Sequence, residues 1–553
     1  MKKLRVGIFF PNIEKLENWE YRLFYEIIKS DWAEIVILIK DQRKKKKINY
    51  IDKLLNSKNI VHKGLLKFIN FIELKFIKQP HFNEGKKIEV LEKLNKIEEI
   101  FLKPNEQGKY VDYFDTSACQ KIKNLKLDVL LRHEFRIIKG EILNIPKYGI
   151  WSFHHGDNDI NRGGPPGFWE IVYNQPVTGV TLQILTEVLD GGRIIEKGFY
   201  STRKSFLLNQ KYIYEKSVAI ILKNLKLLYL NGFIKTTPSK PYTKKILSTP
   251  INIFWILKYC YMCLGIVLNK IKIFLIKACG YKFNVWSIFF KEGKIISTNL
   301  SGSEFIKPGK DEFWADPFVI SLNKKNYVLF ENYSYKLKKG KISCGILSDG
   351  KIQNICNALE LDYHLSYPFI FKMDNEIYMM PETVEAKRLE IYKSIDFPTK
   401  WKLYSTGFEG EGIADPTLFI NKQKNIWLFL NKSKDPYNDY NSELYIYKIT
   451  DLNLKTVISH KLNPVIIDSR RARNAGNIFL EGDKIIRPSQ KNINSMYGYG
   501  LNLSEITDLS IESYSEKLIK TFEPDFKKGL IGVHHVAQFD NGFLFDSCHK
   551  KIF

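Results

Sequence analysis

Two histidines and an aspartate give the chain its clearest potential for chemistry. His154 and His155 follow a short apolar run, and Asp190 precedes a pair of glycines further along the chain. Ligands of open parallel sheets bind at the carboxyl ends of strands, where such side chains would lie. A carboxylate that holds an imidazole in place can make it a general base. The pattern therefore predicts a catalytic His154–Asp190 pair. The alternative is a histidine whose ring is satisfied by a backbone carbonyl.

A loop rich in glycine and proline lies between the two residues. It begins with Arg162, Gly163 and Gly164 and continues with two prolines. Small residues leave room for a ligand near the backbone, so we expect Arg162 and both glycines to bind substrate. Trp169 follows the loop, and two interpretations of it stay open. It lines the side of the site that binds the substrate accepting a transferred group, or it packs against neighbouring side chains.

The elements that must position these residues alternate along the N-terminal part of the chain. Strand-like apolar runs are separated by stretches with helical periodicity, which is typical of a largely parallel sheet. The strand-like runs span residues 4–10, 33–40, 127–132 and 149–153, and the helical stretches include residues 19–29, 87–102 and 205–230. No GxGxxG motif follows the first strand, so the sequence lacks a dinucleotide-binding fingerprint. We expect an α/β, Rossmann-like domain.

Residues 1–200 resemble the formyltransferase catalytic domain, most specifically over residues 128–198. Its best known members are methionyl-tRNA formyltransferase and the sugar-nucleotide N-formyltransferases. The matching motifs are His154 at a strand end, the loop Arg162-Gly163-Gly164-Pro165-Pro166, the strand Thr178-Gly179-Val180-Thr181 and the turn Leu189-Asp190-Gly191-Gly192. The resemblance implies that His154 accepts the proton of an amine and that Asp190 orients His154. It also implies N10-formyltetrahydrofolate as the formyl donor.

Ser152 departs from this family pattern, which has an asparagine two residues before the histidine. In the family, that asparagine helps to stabilise the oxyanion of the tetrahedral intermediate. Losing one such donor costs on the order of 10²–10³ in rate. Ser152 carries a shorter hydroxyl donor, and His155 is an alternative donor. Either one of them replaces the asparagine, or the domain retains only a pocket.

A repeat of short strands and turns begins near residue 286. Five segments can be laid over one another, and their marker positions are Asp316, Tyr367, Asp415, Asn474 and His535. Each marker opens a strand that is followed by a turn and a second strand. Repeats on the order of 50 residues with several strands each are typical of propeller blades. The count predicts an all-β five-bladed β-propeller, with six blades as the alternative.

Polar residues recur at nearly the same distance after the first four markers. They are Glu331, Glu382, Asn431 and Gln490. Equivalent positions on successive blades surround one axis, so we expect Asp316, Asp415, Glu331 and Glu382 to gather near one mouth of the central channel. Clustered carboxylates are what general acid/base chemistry on a glycoside needs. The alternative is structural, since an Asp-Pro pair also caps a turn.

The repeat region resembles the N-terminal domain of plant glucosamine inositolphosphorylceramide transferases. That domain is itself similar to five-bladed glycoside hydrolases of the arabinanase type. The matching motifs include Phe313-Trp314-Ala315-Asp316-Pro317, His364-Leu365-Ser366-Tyr367-Pro368 and Met380-Pro381-Glu382-Thr383. The resemblance implies a base at Asp316 and leaves the acid open between Glu331 and Glu382.

These patterns divide the chain into a formyltransferase-like domain (1–205), a helical linker (206–285) and a propeller (286–553). The linker contains an apolar segment, residues 251–268, which includes Lys258 and is followed by Lys270, Lys272 and Lys277. Three interpretations of this segment are open: a helix that lies on an anionic membrane, a helix packed between the domains, and a transmembrane helix.

Composition narrows the function classes. The 553 residues include 85 Lys+Arg and 60 Asp+Glu, for a net charge of +25. The lysines are spread over the whole chain, so we expect no specific nucleic acid partner, and the tightest basic run, residues 43–47, indicates a solvated loop. Seven cysteines exclude a disulfide scaffold. Cys260 and Cys263 form a lone CxxC, so we expect no metal site. The N-terminus lacks the pattern of a signal peptide, which favours a cytoplasmic protein.

The two resemblances together predict an enzyme of surface glycan biosynthesis. It would move a formyl group from N10-formyltetrahydrofolate to an amino group of a sugar or sugar nucleotide. The alternative is a glycan-binding, glycosyl-transfer or glycosidase-like protein that acts through the propeller and keeps a degenerate formyltransferase domain. Formylation of initiator tRNA is discounted, because the second domain of that enzyme is a small β-barrel. The oligomeric state is left open.

Overall fold

The computed structural model describes residues 2–43, 60–76, 81–108, 110–247 and 252–552. The chain forms two compact units: Met1–Ile266 with Asp435–Tyr437, and Val267–Lys434 with Asn438–Phe553. Of the basic run 43–47, only Arg43 lies within the described residues, so the predicted loop lies mostly outside them. The Arg43 guanidinium binds the carboxylates of Asp41 and Asp112.

The first unit is built on a seven-stranded sheet. The strands of this unit are β1 (Leu4–Phe9), β2 (Ala33–Asp41), β3 (Glu99–Leu102), β4 (Asn105–Gln107), β5 (Val111–Tyr113), β6 (Val129–Arg132), β7 (Ile137–Lys139), β8 (Ile150–His154), β9 (Val177–Ile184) and β10 (Arg193–Ser201). The sheet has the order β10-β9-β8-β6-β1-β2-β3, and β4, β5 and β7 form a small separate sheet. Neighbouring strands from β8 to β3 run parallel, whereas β9 is antiparallel to both β8 and β10. The predicted α/β domain is confirmed.

The α-helices described before the propeller are α1 (Asn18–Lys29), α2 (Ile60–Phe76), α3 (Glu84–Leu94), α4 (Thr116–Asn124), α5 (Trp169–Val172), α6 (Phe206–Asn231) and α7 (Ile253–Ala278). Of these, α1 and α6 pack against strands of the sheet. Strand residues such as Val6, Ile37 and Leu130 are completely buried. Burial on both faces explains why these strands are continuous apolar runs and show no alternation.

The prediction of one helix over residues 87–102 is wrong in its second half. α3 ends at Leu94, and the N–H of Asn95 closes it by bonding to the carbonyl of Leu91. Residues 99–102 form β3, which pairs with residues 38–41 of β2 at the edge of the sheet. The edge of β2 supplies hydrogen-bond partners that no local pattern reveals, so tertiary pairing decides the conformation of this segment.

The predicted helix over residues 205–230 is confirmed as α6. The Ser205 side chain accepts a hydrogen bond from the N–H of Leu208, which caps the first turn. Gly232 ends the helix with a left-handed φ of 71°, a conformation that glycine adopts without strain. The helix packs against β9 and β10, and it belongs to the first unit.

The second unit consists of five antiparallel sheets within residues 282–552. The first three blades, in chain order, are β13 (Glu312–Leu322), β14 (Lys325–Ser334), β15 (Lys339–Ser348) and β16 (Lys351–Leu359); β17 (Ser366–Met373), β18 (Glu376–Glu382), β19 (Leu389–Asp396) and β20 (Lys400–Gly407); and β21 (Ile413–Ile420), β22 (Ile426–Lys432), β23 (Glu443–Ile449) and β24 (Val457–Ser459), with β25 (Ile466–Ile467) paired to β23. The five-bladed interpretation is confirmed over the six-bladed one.

The last two blades include the one that joins the two ends of the unit. The fourth blade contains β26 (Phe479–Glu481), β27 (Lys484–Ile493), β28 (Met496–Leu509) and β29 (Tyr514–Phe522), and the fifth contains β11 (Lys282–Glu292), β12 (Glu304–Ile306), β30 (Leu530–Phe539) and β31 (Gly542–Ile552). β11 pairs with β31 along almost its whole length. The first strand of the unit therefore completes the blade that the last two strands begin.

Three of the five sequence markers occupy β-bulges at the same place in the inner strands of their blades. The marker Asn474 lies outside the named strands, in an isolated bridge with Ser489, so the prediction that it opens a strand is wrong. Asp316, Tyr367 and Asp415 have φ values of 49°, 46° and 45°, and the strand register shifts at each of them. In the fifth blade the shift falls between Val533 and Val536, so His534 and not His535 is the counterpart of Asp316. A one-residue offset is invisible when short segments are aligned. Bulges re-aim side chains and are frequent beside active sites.

Candidate active site

His154 and Asp190 form a hydrogen-bonded pair in the first unit. His154 is the last residue of β8, and its Nδ1 lies 3.3 Å from Oδ2 of Asp190. His154 is only 7% exposed. The N–H of Gly163 donates to the same Asp190 oxygen at 3.1 Å. The structure therefore brings together the two residues that the sequence singled out.

Asp190 reaches His154 from a turn. Because β9 runs antiparallel to β8, its carboxyl end at Ile184 lies beside Trp151 and away from His154. The chain returns through residues 185–192, where Asp190 has a left-handed φ of 50° and its carbonyl accepts a hydrogen bond from Asn158 at 3.1 Å. The expected meeting of two strand ends is therefore wrong, although the two side chains do meet.

Both ring nitrogens of His154 face acceptors. Nε2 lies 2.8 Å from the backbone carbonyl oxygen of Asn161, opposite the contact of Nδ1 with Asp190. Burial alone lowers the pKa of His154, but the hydrogen bond and charge of Asp190 and the Asn161 carbonyl raise it above its ordinary value. Conversely, His154 lowers the pKa of Asp190 against the effect of burial. The arrangement stabilises an imidazolium, and it contains both contacts that the sequence left as alternatives.

Arg162 is held by backbone carbonyls. Its side chain is buried, and its guanidinium donates to the carbonyl oxygens of Asn158, Leu189 and Lys240 at 3.0–3.4 Å. The guanidinium also stacks on the ring of Tyr242. Arg162 thus ties the loop to residues 240–242, and the structure gives its side chain no direct place in the cavity described below.

The loop glycines and Trp169 are also fixed by packing. Gly163 has a φ of 99°, and a Cβ on it would lie 2.1 Å from the carbonyl oxygen of Leu247. The Gly164 carbonyl accepts a hydrogen bond from Nε1 of Trp169 at 3.0 Å. The Trp169 ring stacks on Tyr173. These contacts favour the packing interpretation of Trp169.

Ser152 lies next to a cation that the sequence analysis did not single out. Arg132 is the last residue of the neighbouring strand β6, and its Nη1 donates to Oγ of Ser152 at 3.3 Å. Its Nε and Nη2 donate to the backbone carbonyls of Phe135 and Arg136. Burial lowers the pKa of Arg132, but a guanidinium stays charged in proteins. In the sequence, Arg132 appears only as a charged residue at the end of an apolar strand. The pairing of β6 with β8 places it beside Ser152.

A cavity of about 360 Å³ opens beside Ser152. Its lining combines charged side chains with aromatic rings and comprises Pro11, Lys15, Glu17, Trp19, Glu20, Arg132, His133, Glu134, Ser152, Phe153, His155 and Tyr214. Trp19 stacks on His133, and the rings of His155 and Tyr214 lie 4.4 Å apart. A few polar groups among aromatic walls are typical of small-molecule sites.

His155 lines this cavity, and one of its two ring nitrogens forms no hydrogen bond with the described residues. Burial and the charges of His154 and His133 lower the pKa of His155 to about 3, so its ring is neutral at physiological pH. Among the described residues, Nε2 of His155 is buried without a hydrogen-bond partner. A neutral imidazole can donate or accept one hydrogen bond at such an atom.

The propeller gathers the four predicted carboxylates into one electrostatic cluster. Burial raises the pKa of Asp316 to about 7, and the charges of Asp546 and Asp415 add to the rise against that of His534. Burial also raises the pKa values of Glu331 and Glu382 well above the ordinary range, and Asp316 contributes to both. The shifts favour the protonated form of these carboxyls, and a carboxyl with a raised pKa is what the acid of a glycoside reaction needs.

Arg473 binds two of these carboxylates. Its Nε donates to Oδ2 of Asp415 at 2.6 Å, and its Nη2 donates to Oε2 of Glu382 at 3.2 Å. The amide of Gln490 donates to the same Asp415 oxygen at 3.1 Å. Arg473 directly precedes the marker Asn474, so its place in the repeat was the available signal. The sequence analysis assigned it no role.

The fifth blade adds a His534–Asp546 pair that the repeat interval missed. Nδ1 of His534 lies 2.6 Å from Oδ1 of Asp546, and the N–H of Asp316 donates to Oδ2 of Asp546 at 2.9 Å. Ligand-type atoms of these three residues lie within 4.8 Å of one another, close enough to hold a metal ion. The turns between β13 and β14 and between β30 and β31 have the same length, but the strand segments from His534 to Asp546 are shorter than those from Asp316 to Glu331. Asp546 therefore follows its marker sooner.

Comparisons with known proteins match the two units separately. Residues 297–533 match the sequence model of the family described as Glucosamine inositolphosphorylceramide transferase 1, N-terminal. The second unit is similar to this N-terminal domain. The protein of that name from Oryza sativa subsp. indica is 31% identical over 221 residues, which cover 39% of this chain and 29% of the rice protein.

The first unit is similar to formyltransferases. Methionyl-tRNA formyltransferase from Fusobacterium nucleatum subsp. nucleatum is 25% identical over 167 residues, which cover 25% of this chain and 54% of that protein. Bifunctional polymyxin resistance protein ArnA from Wigglesworthia glossinidia brevipalpis is 30% identical over 128 residues, which cover 21% of this chain and 18% of that protein. The chain thus spans less than a third of the rice relative and about half of the Fusobacterium one.

Proposed function

We propose that the protein transfers a formyl group from N10-formyltetrahydrofolate to an amino group of a sugar or sugar nucleotide. The observation that carries the proposal is the buried His154–Asp190 pair, with Ser152 of the same strand lining a cavity of about 360 Å³. The likeness of the first unit to formyltransferases supports the reaction type. The likeness of the second unit to a transferase named for glucosamine supports a sugar acceptor.

The proposed reaction moves one acyl group and one proton. The amine nitrogen forms a bond to the formyl carbon, the bond from that carbon to N10 breaks, and tetrahydrofolate leaves with a proton on N10. Neutral His154 accepts the proton that the amine loses and then gives it to N10 as the bond from the formyl carbon to N10 breaks. For the first transfer, Nε2 exchanges the Asn161 carbonyl for the amine. Between the two transfers, Asp190 stabilises the imidazolium through its contact with Nδ1.

Arg132 takes over the oxyanion-stabilising role of the family asparagine. Ser152 is shorter than an asparagine, and Nη1 of Arg132 lies 3.3 Å from the serine hydroxyl. The oxygen of the tetrahedral intermediate would accept hydrogen bonds from both side chains. A donor that the protein already holds in place at a developing negative charge is worth far more in a water-poor site than in solution.

The cavity would hold the sugar ring of the acceptor. Its volume of about 360 Å³ is at the lower end of the range for small-molecule pockets, roughly 300–1,000 Å³. Trp19 and Tyr214 offer faces for the carbon side of a ring. Glu134, whose pKa burial raises, offers oxygen atoms for hydroxyl or amino groups.

The test measures the release of tetrahydrofolate from N10-formyltetrahydrofolate by the purified full chain with a panel of amino-sugar nucleotides. We expect release only with an amino sugar and a fall of about 10²–10⁴ in His154→Ala, the range for a lost general base. The matched control is His81→Ala, an exposed histidine of the same unit, with no change. Absence of release for every sugar, together with no donor binding by calorimetry, would contradict the proposal.

The buried carboxylates of the propeller favour a second candidate function. The raised pKa values of Asp316, Glu331 and Glu382 and the cation of Arg473 suit the binding or processing of a glycan. In that case the propeller carries the activity, and the first unit keeps a pocket but does not catalyse formyl transfer. Glycan-array binding that requires Asp316, with no formyl transfer by the same protein, would favour this candidate.

A further inference from the structure

We propose that the protein docks on an anionic lipid surface through the exposed apolar faces of α2 and α7. This inference goes beyond the proposed reaction and does not depend on it. Among the described residues, α7 is the one helix that is long and apolar enough to cross a membrane, with a mean hydropathy of 1.6 over its most apolar stretch. Only 6% of that stretch is buried.

A continuous apolar stripe runs along α7. Its members are more than half exposed, and they are Phe254, Leu257, Tyr261, Leu264, Leu268, Ile271 and Leu275. Their spacing alternates between three and four residues, which places all of them on one face of a helix. Ile256 and Tyr259 are completely buried and belong to the apolar cluster of the first unit. The helix is therefore attached to protein on one side and presents the stripe on another.

α2 extends the exposed apolar surface. Phe68, Phe71 and Leu74 are each more than half exposed. Tyr259 of α7 donates a hydrogen bond to Glu73 of α2, and both helices contribute side chains to the same apolar cluster. Soluble proteins rarely expose apolar patches this extensive unless the patch binds something.

The charges on α7 favour lipid as the occupant. The helix contains no aspartate or glutamate and carries Lys258, Lys270, Lys272 and Lys277. Lysines beside an apolar face that includes Phe and Leu are typical of helices that lie in an anionic membrane surface. A second copy of the chain would bring the same uncompensated lysines together, whereas paired helices usually place opposite charges beside the seam.

The helix lies on the bilayer and does not cross it. Ile256 and Tyr259 remain buried against protein, and Lys270 and Lys272 interrupt the second half of the apolar stretch. A spanning helix needs about 20 apolar residues. A helix that lies on an anionic surface is the first of the three interpretations that the sequence left open.

The test is co-sedimentation of the full chain with phosphatidylcholine vesicles, with and without phosphatidylglycerol. We expect binding at least about tenfold stronger to the anionic vesicles and weaker at high salt. Leu264→Glu combined with Ile271→Glu would lose this binding. The matched control is Ile395→Glu in the propeller, an equally exposed apolar residue, with no loss. Circular dichroism and thermal unfolding, compared with the unsubstituted protein, establish that each variant is folded.

A second variant separates charge from apolar contact. Lys270→Glu combined with Lys272→Glu keeps the stripe and is expected to remove the preference for phosphatidylglycerol. Three results would overturn the proposal: binding that ignores both salt and lipid charge, a dimer that depends on the stripe without vesicle binding, or vesicle-bound protein that resists alkaline extraction as a spanning helix does.

Discussion

At the scale of single residues, the first unit combines a shortened side chain with a cation that reaches it. Ser152 stands where formyltransferases have an asparagine, and Nη1 of Arg132 lies 3.3 Å from its hydroxyl. The two residues lie on neighbouring parallel strands, Arg132 at the end of β6 and Ser152 in the middle of β8. We interpret Arg132 and Ser152 as one oxyanion-stabilising unit, in which the guanidinium restores the donor that the serine lacks.

Arg132→Ala should therefore lower kcat for formyl transfer by about 10²–10³ with little change in KM for the amino sugar. Adding Ser152→Asn should recover at least part of that loss, because the asparagine amide reaches the space that the guanidinium leaves. Steady-state kinetics of the two single variants and the double variant measure the coupling. Arg193→Ala, an exposed arginine of the same unit, serves as control. An equal loss in the Arg132→Ala and double variants would sink the interpretation.

At the scale of elements, the bulged inner strands tie consecutive blades together. Oδ2 of Asp316 accepts a hydrogen bond from the N–H of Tyr367 in the next blade, at 3.3 Å. The N–H of Asp415 donates to Glu382 of the preceding blade at 3.2 Å. The marker residues thus link neighbouring blades by hydrogen bonds and also contribute carboxylates to the cluster. The structural and the chemical interpretations of the repeat therefore both apply to the same side chains.

The fourth blade contains a buried ion pair to which we assign a structural role. Arg487 and Glu516 are buried, and Nε lies 2.8 Å from Oε2. Glu516→Gln should lower the free energy of unfolding by about 3–5 kcal/mol, because it leaves the Arg487 charge uncompensated. Denaturant unfolding of the second unit measures the loss.

Glu505→Gln in the same blade is the matched control. Glu505 pairs with Lys484 near the surface at 3.4 Å, so its loss should cost about 1 kcal/mol or less. Burial raises the pKa of Glu516, but Arg487 lowers it below its ordinary value. The stabilisation is therefore present above the ordinary glutamate pKa and fades as the pH falls through the lowered one. A Glu516→Gln variant as stable as wild type at neutral pH would contradict this account.

At the scale of the whole molecule, the titratable groups to which we assign chemistry occur in both units. His154 and Asp190 belong to the first unit, and Asp316, Glu382 and Asp415 belong to the second. The proposed formyl transfer requires only the groups of the first unit for its chemistry. Those of the second unit would then recognise a glycan.

Asp316→Asn should consequently leave tetrahydrofolate release within about twofold of wild type, as expected for independent sites, and should abolish glycan binding. His154→Ala should abolish tetrahydrofolate release and leave glycan binding unchanged. Parallel assays of release and of binding to a glycan array compare the two variants directly. If Asp316→Asn alone stops the release, the propeller takes part in the reaction, and the second candidate function gains support.

Sequence by itself determined the parts of this protein whose signals are local. The apolar runs indicated the parallel strands, the apolar periodicity of residues 205–230 indicated α6, and five markers indicated five blades. The motifs around His154 and Asp190 identified a pair that does meet in the structure. Each of these signals lies within a short stretch of chain, where side-chain period, capping and turn residues act directly on the backbone.

Tertiary structure alone decided the features that depend on residues distant in the chain. These include the place of Arg132 beside Ser152, the entry of Asp546 into the carboxylate cluster, the antiparallel direction of β9, and the exposure of the stripe on α7. Strand order, register and burial arise from pairing between separate segments. No local pattern contains that information, because the same stretch of sequence can face a neighbour or solvent depending on what the rest of the chain places against it.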